Sequence, residues 1–73
     1  MLKEEIRAEL SKRGVTFKQI AAEQEVAPAT VSIVFKGDRR SRRIEQAIAD
    51  KLGKSASELF PERYQGREDV QMS

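Results

Sequence analysis

Basic side chains are concentrated in one stretch near the middle of the 73-residue chain. The stretch runs from Pro28 to Arg43 and holds five positive charges and one negative charge, so its net charge is +4; because the whole chain carries +2, the remainder carries −2. Its basic residues are Lys36, Arg39, Arg40, Arg42 and Arg43. Guanidinium and ammonium groups bind phosphate oxygens through charge-assisted hydrogen bonds. The uneven charge therefore predicts that this stretch contacts a polyanion.

Arg42 and Arg43 lie at the start of a predicted helix, directly after the N-capping residue Ser41. The helix dipole disfavours positive charge in the first turn by about 0.3–1 kcal/mol per residue. A phosphate bound there would meet both free amides and guanidinium groups, so the conflict predicts a phosphate site; the alternative is a solvated loop without a partner. Arg39 and Arg40 precede the helix. They would add salt-sensitive affinity that is independent of base sequence, or would simply be solvated.

Five predicted helices must position these side chains. They cover about residues 2–13, 17–24, 28–36, 42–52 and 56–60. Capping boxes at Thr16 and Ser55 and the fixed φ of Pro28 indicate where helices two, five and three begin. Glycines end the first, third and fourth helices, and Pro61 ends the fifth. Leu2 belongs to the apolar stripe of helix one, which repeats every fourth residue.

Helix three is predicted to have one apolar face and an opposite face made mostly of small or polar side chains. Val31, Val34 and Phe35 fall together on the side that should be buried. The opposite side is small, polar or basic, apart from one apolar side chain; it carries Ala29, Ser32, Ile33 and Lys36. Such a helix can approach another surface closely. Two short helices joined by a tight turn, with the second presenting small residues, form the arrangement of a helix-turn-helix.

Residues on both sides of that turn match a known pattern. They are Ala21, Val26, Val31, Val34 and the run Phe35-Lys36-Gly37. With this pattern the chain resembles the lambda-repressor-like helix-turn-helix family over roughly residues 3–64. The flanks KRGVTF (12–17) and SELFPERY (57–64) resemble the Ner family of small DNA-binding regulators from transposable phages and their bacterial relatives. Glu25 stands where the family usually has glycine, so either the turn contains a left-handed residue that costs about 1 kcal/mol, or its geometry and the angle between the two helices differ from those of the family.

The resemblance implies an all-α, five-helix lambda-repressor-like domain that binds double-stranded DNA as a sequence-specific transcriptional regulator, a repressor, with helix three in the major groove. The residues placed at base edges are Pro28, Ala29, Thr30, Ser32 and Ile33. Lys36 would lie nearer the backbone, and Lys18 in helix two would contact the opposite strand. For Ile33 the alternative is a contact with the tail or a second subunit.

The base-edge positions lack Arg, Asn and Gln, so bidentate base contacts are not expected there. Part of the specificity should then come from DNA shape. One reading helix covers few base pairs. Useful specificity would need two copies on neighbouring half-sites, as a homodimer or a cooperative pair on DNA.

Composition disfavours other classes of function. The chain has no cysteine and no histidine, so we expect no catalytic site, metal, cofactor or small-molecule substrate. It has no apolar run of about 20 residues and no signal-peptide core, so we expect no membrane association and a cytoplasmic, nucleoid-associated protein. Residues 1–64 should form the DNA-binding domain and residues 65–73 a flexible tail. The alternative function is a helical protein-interaction module, antitoxin-like or an adaptor.

Overall fold

The computed structural model describes residues 1–64, which form six α-helices and no strand. The helices are α1 (Lys3–Lys12), α2 (Phe17–Gln24), α3 (Pro28–Lys36), α4 (Arg42–Lys51), α5 (Ala56–Leu59) and α6 (Pro61–Tyr64). The all-α prediction is confirmed for these residues, and the bounds of the first four helices agree with the sequence to within one residue. The predicted tail, residues 65–73, lies outside the described residues.

Residues 1–64 hold six helices where the sequence predicted five, because Pro61 begins a helix as well as separating one from the next. The backbone of Phe60, with φ −126° and ψ 61°, leaves the helical region directly after α5. Pro61 then supplies the first residue of α6. A proline at that position lacks only an amide that would have no partner within the helix, and its fixed φ suits the first turn. The chain therefore continues as a separate helical turn that ends at Tyr64.

Side-chain caps fix the starts of three helices as predicted. At α2 the hydroxyl of Thr16 accepts from the Gln19 amide at 3.1 Å, and the Gln19 side chain accepts from the Thr16 amide at 3.0 Å. Ser55 and Glu58 form the same reciprocal pair at α5. Ser41 caps α4 by accepting from the Ile44 amide at 3.3 Å. Each pair satisfies amides that a helix leaves open at its start.

Four helices end in the same type of hydrogen-bonded turn, which contains one residue in the left-handed conformation. At three of these ends that residue is glycine. At the end of α2 that residue is Glu25, with φ 58° and ψ 44°. Its amide donates to the Ala22 carbonyl at 3.2 Å, and the Val26 amide donates to the Ala21 carbonyl at 3.0 Å. This is the Schellman pattern. Of the two alternatives for Glu25, the structure shows the left-handed conformation, so the turn between α2 and α3 keeps the geometry that glycine gives the other ends.

The core is one cluster to which α1 to α5 all contribute. It contains Ile6, Leu10, Ile20, Ala21, Val31, Val34, Phe35, Ile44, Ala47, Ile48, Ala49, Leu52, Leu59 and Phe60. Phe35 of α3 packs against Phe17 with ring centroids 5.1 Å apart and against Phe60 at 6.4 Å. The assignment of Leu2 to the apolar stripe of α1 is wrong. Its side chain is 64% exposed because the residue precedes the helix as its N-cap.

The third helix, α3, packs against both α2 and α4, which hold it from two sides. Its inward residues Val31, Val34 and Phe35 are all buried, as the sequence predicted. This leaves the opposite side of α3 at the surface. Among residues 1–64 there is no helix of the length and apolarity that a membrane crossing requires.

Candidate nucleic-acid interface

Among residues 1–64, the outward face of α3 is exposed or half-buried along its length. Pro28, Ala29, Ile33 and Lys36 are exposed, and Thr30 and Ser32 are half-buried. Ile33 is 38% exposed, which makes it one of two large apolar side chains at the surface of the described residues. The six residues predicted for this face therefore lie together on it. A face of small side chains with one protruding isoleucine has the profile of a helix that enters a groove.

Lysines lie at the ends of the helix-turn-helix. Lys18, in the first turn of α2, is exposed, whereas the Thr16 hydroxyl beside it is occupied as the helix cap. Lys36 is exposed in the last turn of α3. Sequence reasoning missed a third lysine here: the Lys3 ammonium donates to the Lys36 carbonyl at 3.0 Å. The two residues are 33 positions apart, so no local pattern could have indicated this contact.

The four arginines after α3 do not form one undivided patch. Arg39 is exposed in the loop, whereas Arg40 pairs with Glu45, with Nε 3.0 Å from Oε2. Arg43 turns towards α2. Its Nε donates to the Gln24 side-chain oxygen at 2.8 Å, and its Nη2 donates to the Gln24 carbonyl. Arg43 therefore ties the start of α4 to the end of α2, a structural role that the sequence did not indicate.

The start of α4 keeps open amides beside these guanidinium groups. The Ser41 hydroxyl occupies the amide of Ile44, the third helical residue. The amides of Arg42 and Arg43 precede it, and within residues 1–64 they donate to no backbone or side-chain acceptor. An anion can bind at such a position, because it would meet open amides, the positive end of the helix dipole and nearby guanidinium groups.

One buried charge lies behind this surface. The Glu45 side chain is fully buried. Its carboxylate accepts hydrogen bonds from Arg40, from the Tyr64 hydroxyl at 2.5 Å and from Arg63 Nη1 at 3.2 Å. Burial raises the pKa of Glu45, but the hydrogen bond from Tyr64 and the interactions with Arg40 and Arg63 outweigh it, so that the pKa lies below its ordinary value. Burial, followed by the hydrogen bond to Glu45, raises the pKa of the Tyr64 hydroxyl, which keeps it protonated as a donor.

The same cluster joins α6 to the end of α3. Arg63 Nη1 donates to the Val34 carbonyl and Nη2 to the Phe35 carbonyl, both at 2.8 Å. Sequence reasoning missed Glu45, Arg63 and Tyr64 as a unit. The burial of Glu45 had a signal, since apolar residues follow it at three, four and seven positions on one helical face. Its partners had none, because they lie 18 and 19 positions away.

The comparison with protein families agrees with this geometry. A family model described as winged helix-turn-helix DNA-binding matches residues 1–73. No significant match was found among curated proteins or among solved structures. The part of the chain that the structure describes contains the helix-turn-helix without a β-stranded wing. Because the family model spans the full sequence, the chain belongs to the winged helix-turn-helix DNA-binding family.

Proposed function

We propose that this protein is a sequence-specific transcriptional repressor that reads the major groove of double-stranded DNA with α3. The observation that carries the proposal is the outer face of α3, which is exposed or half-buried among residues 1–64, lies opposite three buried core residues and is flanked by basic side chains. Membership of a DNA-binding family supports a nucleic-acid partner. The resemblance of the flanking segments to Ner regulators supports repression.

The proposed base contacts come from the outer face of α3. Thr30 and Ser32 can donate or accept a hydrogen bond at a base edge, and Ile33, Ala29 and Pro28 suit a thymine methyl group. Contacts to the DNA backbone come from basic residues on both sides of α3: Lys18, Lys36, Arg39, Arg40, Arg42 and Arg43. Backbone contacts position the helix, and base contacts select the sequence.

We also propose that two copies bind neighbouring half-sites about 34 Å apart, as a homodimer or a cooperative pair. The chain would act in the cytoplasm, at the nucleoid, without a catalytic residue, metal or cofactor. Residues 1–64 would supply the DNA-binding unit. A second candidate function is a helical protein-interaction module, and the exposure of Ile33 favours it, because an apolar side chain on a small-residue face also suits a protein partner.

Salt dependence separates these two functions. Binding of a fluorescent duplex is measured between about 50 and 200 mM salt for the unaltered chain and for the double variant Arg42→Ala/Arg43→Ala. The logarithm of the association constant should fall linearly with the logarithm of salt concentration, and the variant's slope should be shallower by about 0.9 for each phosphate that the protein no longer neutralises.

A variant of equal charge provides the control. Lys12→Ala/Lys54→Ala removes two exposed positive charges outside the stretch from Pro28 to Arg43. Its slope should stay within about half a unit of the unaltered chain. Circular dichroism checks that each variant is folded, because Arg43 also binds Gln24. Equal slopes for all three proteins would remove Arg42 and Arg43 from the phosphate contacts, and absence of duplex binding at every salt concentration would favour the protein-interaction module.

Selection from a random duplex pool at physiological salt tests base reading. The unaltered chain should enrich one sequence pattern, and Ile33→Ala should enrich a pattern without the preference for thymine at one position. A mismatched base pair in a specific site typically costs about 1–3 kcal/mol of binding free energy. An unchanged pattern for Ile33→Ala would show that Ile33 does not read a base.

A further inference from the structure

Two arginines of the proposed interface share one aromatic ring. The guanidinium carbon of Arg40 lies 5.4 Å from the centroid of the Tyr64 ring, and that of Arg42 lies 5.8 Å from it. Both distances are within the range of a cation–π interaction. The ring belongs to α6, the last helix of the described residues, which is otherwise remote in sequence from the helix-turn-helix.

Arg40 is also oriented by the buried carboxylate of Glu45. Its Nε lies 3.0 Å from Oε2, and its Nη2 lies 3.5 Å from Oε1. A guanidinium group has five N–H donors, so at least three remain available. The Arg40 side chain is 49% exposed, while that of Glu45 is fully buried. Arg40 therefore remains partly open to solvent among residues 1–64, and its unused N–H donors are the groups that it can offer to a phosphate.

Tyr64 itself is held in place. Its hydroxyl donates to Glu45 Oε1 at 2.5 Å, and the neighbouring Arg63 side chain, only 7% exposed, binds the carboxylate and the last carbonyls of α3. An open cleft of about 330 Å³ borders the ring and Arg42, so none of residues 1–64 covers Arg42 on that side. The ring is a fixed support, and the arginine that borders the cleft remains accessible.

We propose that Tyr64 and Glu45 are positioning residues for the contact with the DNA backbone: they hold Arg40 and Arg42 in one preformed phosphate-binding pair. We call the four residues Arg40, Arg42, Glu45 and Tyr64 the arginine platform. An arginine that is already ordered loses less side-chain entropy on binding, so preorganisation increases affinity. This inference rests on the proposed function, because it concerns the phosphate contacts of the same interface.

A double-mutant cycle on the full chain tests the platform. Affinity for a duplex of random sequence at about 100 mM salt is measured for Tyr64→Leu, Tyr64→Phe, Arg40→Ala/Arg42→Ala and the triple variant Arg40→Ala/Arg42→Ala/Tyr64→Leu. Tyr64→Leu should lower affinity about tenfold when both arginines are present and less than twofold when they are absent. Tyr64→Phe, which keeps the ring, should stay within about threefold of the unaltered chain.

The cycle separates failure of the platform from failure of the proposed function. If Arg40→Ala/Arg42→Ala binds duplex as tightly as the unaltered chain, the phosphate assignment itself is wrong. If that variant binds weakly but Tyr64→Leu lowers affinity equally with and without the arginines, the ring acts only through general stability, and the platform is overturned. The same conclusion follows if Tyr64→Leu has no effect in either background.

A spectroscopic measurement on the unaltered chain keeps the inference testable if Tyr64→Leu does not fold. The side-chain Nε–Hε signals of Arg40 and Arg42 are recorded by NMR with and without duplex. Both signals should be displaced by the ring current of Tyr64, and both should move when duplex is added at low salt. Signals at the positions of solvated arginines, or signals that duplex leaves unchanged, would overturn the platform.

Discussion

Replacement of Glu25 by glycine should stabilise the folded protein. Glu25 occupies the left-handed region at φ 58°, which costs a non-glycine residue about 1–2 kcal/mol. Glycine avoids that cost but loses more chain entropy on folding, about 0.5–1 kcal/mol. The Glu25 carboxylate also lies at the negative end of the α2 dipole, where a negative charge is unfavourable by about 0.3–1 kcal/mol. Together these terms predict that Glu25→Gly raises the free energy of unfolding by about 1 kcal/mol.

Urea unfolding followed by circular dichroism measures this change, and Glu25→Gln is the matched control. Glutamine removes the charge but keeps the left-handed strain, so it should recover only the dipole contribution. For a domain of this size, a gain of about 1 kcal/mol corresponds to a rise in Tm of about 4–8 °C. If Glu25→Gly is no more stable than Glu25→Gln, the left-handed strain at residue 25 does not exceed the entropic cost of glycine, and the reasoning is refuted.

Three further results are expected. Glu45→Ala should lower the free energy of unfolding by about 3–5 kcal/mol, because Arg63 would remain buried without its carboxylate partner. Urea unfolding measures this loss. A loss below about 1 kcal/mol would contradict a stabilising role for the buried network. Because the folded pKa of Glu45 lies below its ordinary value of 4.5, its contribution to stability is complete above pH 4.5 and is lost as the pH falls towards the folded pKa. Glu45→Gln should accordingly flatten the acid limb of the stability profile, and an unchanged limb would contradict this. Thr16→Ala should cost about 1 kcal/mol in the same unfolding assay, whereas no loss would show that the capping box contributes nothing.

The sequence predicted the helix-turn-helix well because its signals are local. The capping box at Thr16, the proline that starts α3 and the glycine that ends it act within a few residues of the chain, and each was found where expected. The inner face of α3 followed from helical periodicity alone. At Glu25 the sequence allowed either a strained left-handed turn or a different geometry, and the structure shows the left-handed turn.

The surroundings of the basic stretch could not be predicted, because they depend on contacts between distant residues. The charge pattern predicted a phosphate site at Arg42 and Arg43, with Arg39 and Arg40 in the preceding loop either contacting phosphate or solvated. The structure gives three of these arginines separate protein partners: Arg43 binds Gln24, Arg40 binds Glu45, and Arg42 lies near Tyr64. In the sequence alone, none of these partners indicated the contact that it makes. A helical glutamate and a tyrosine near the end of a domain become informative only once the fold brings them together.

The short helix that begins at Pro61 could not be predicted from the sequence either. Proline both ends a preceding helix and favours the first turn of a following one, so the local signal permits either interpretation. The segment from Pro61 to Tyr64 is too short to show helical periodicity. Its helical form is associated instead with the bonds that Arg63 and Tyr64 make to Glu45 and to the end of α3.

The central claim is that the outer face of α3 enters a DNA groove, and NMR mapping tests it most directly. Backbone amide signals of the ¹⁵N-labelled chain are followed as the duplex obtained by selection is added at physiological salt. We expect the largest shifts in residues 28–36 and 39–43, with little change along α1. Shifts concentrated on α1 or α5, with α3 unaffected, would contradict the claim.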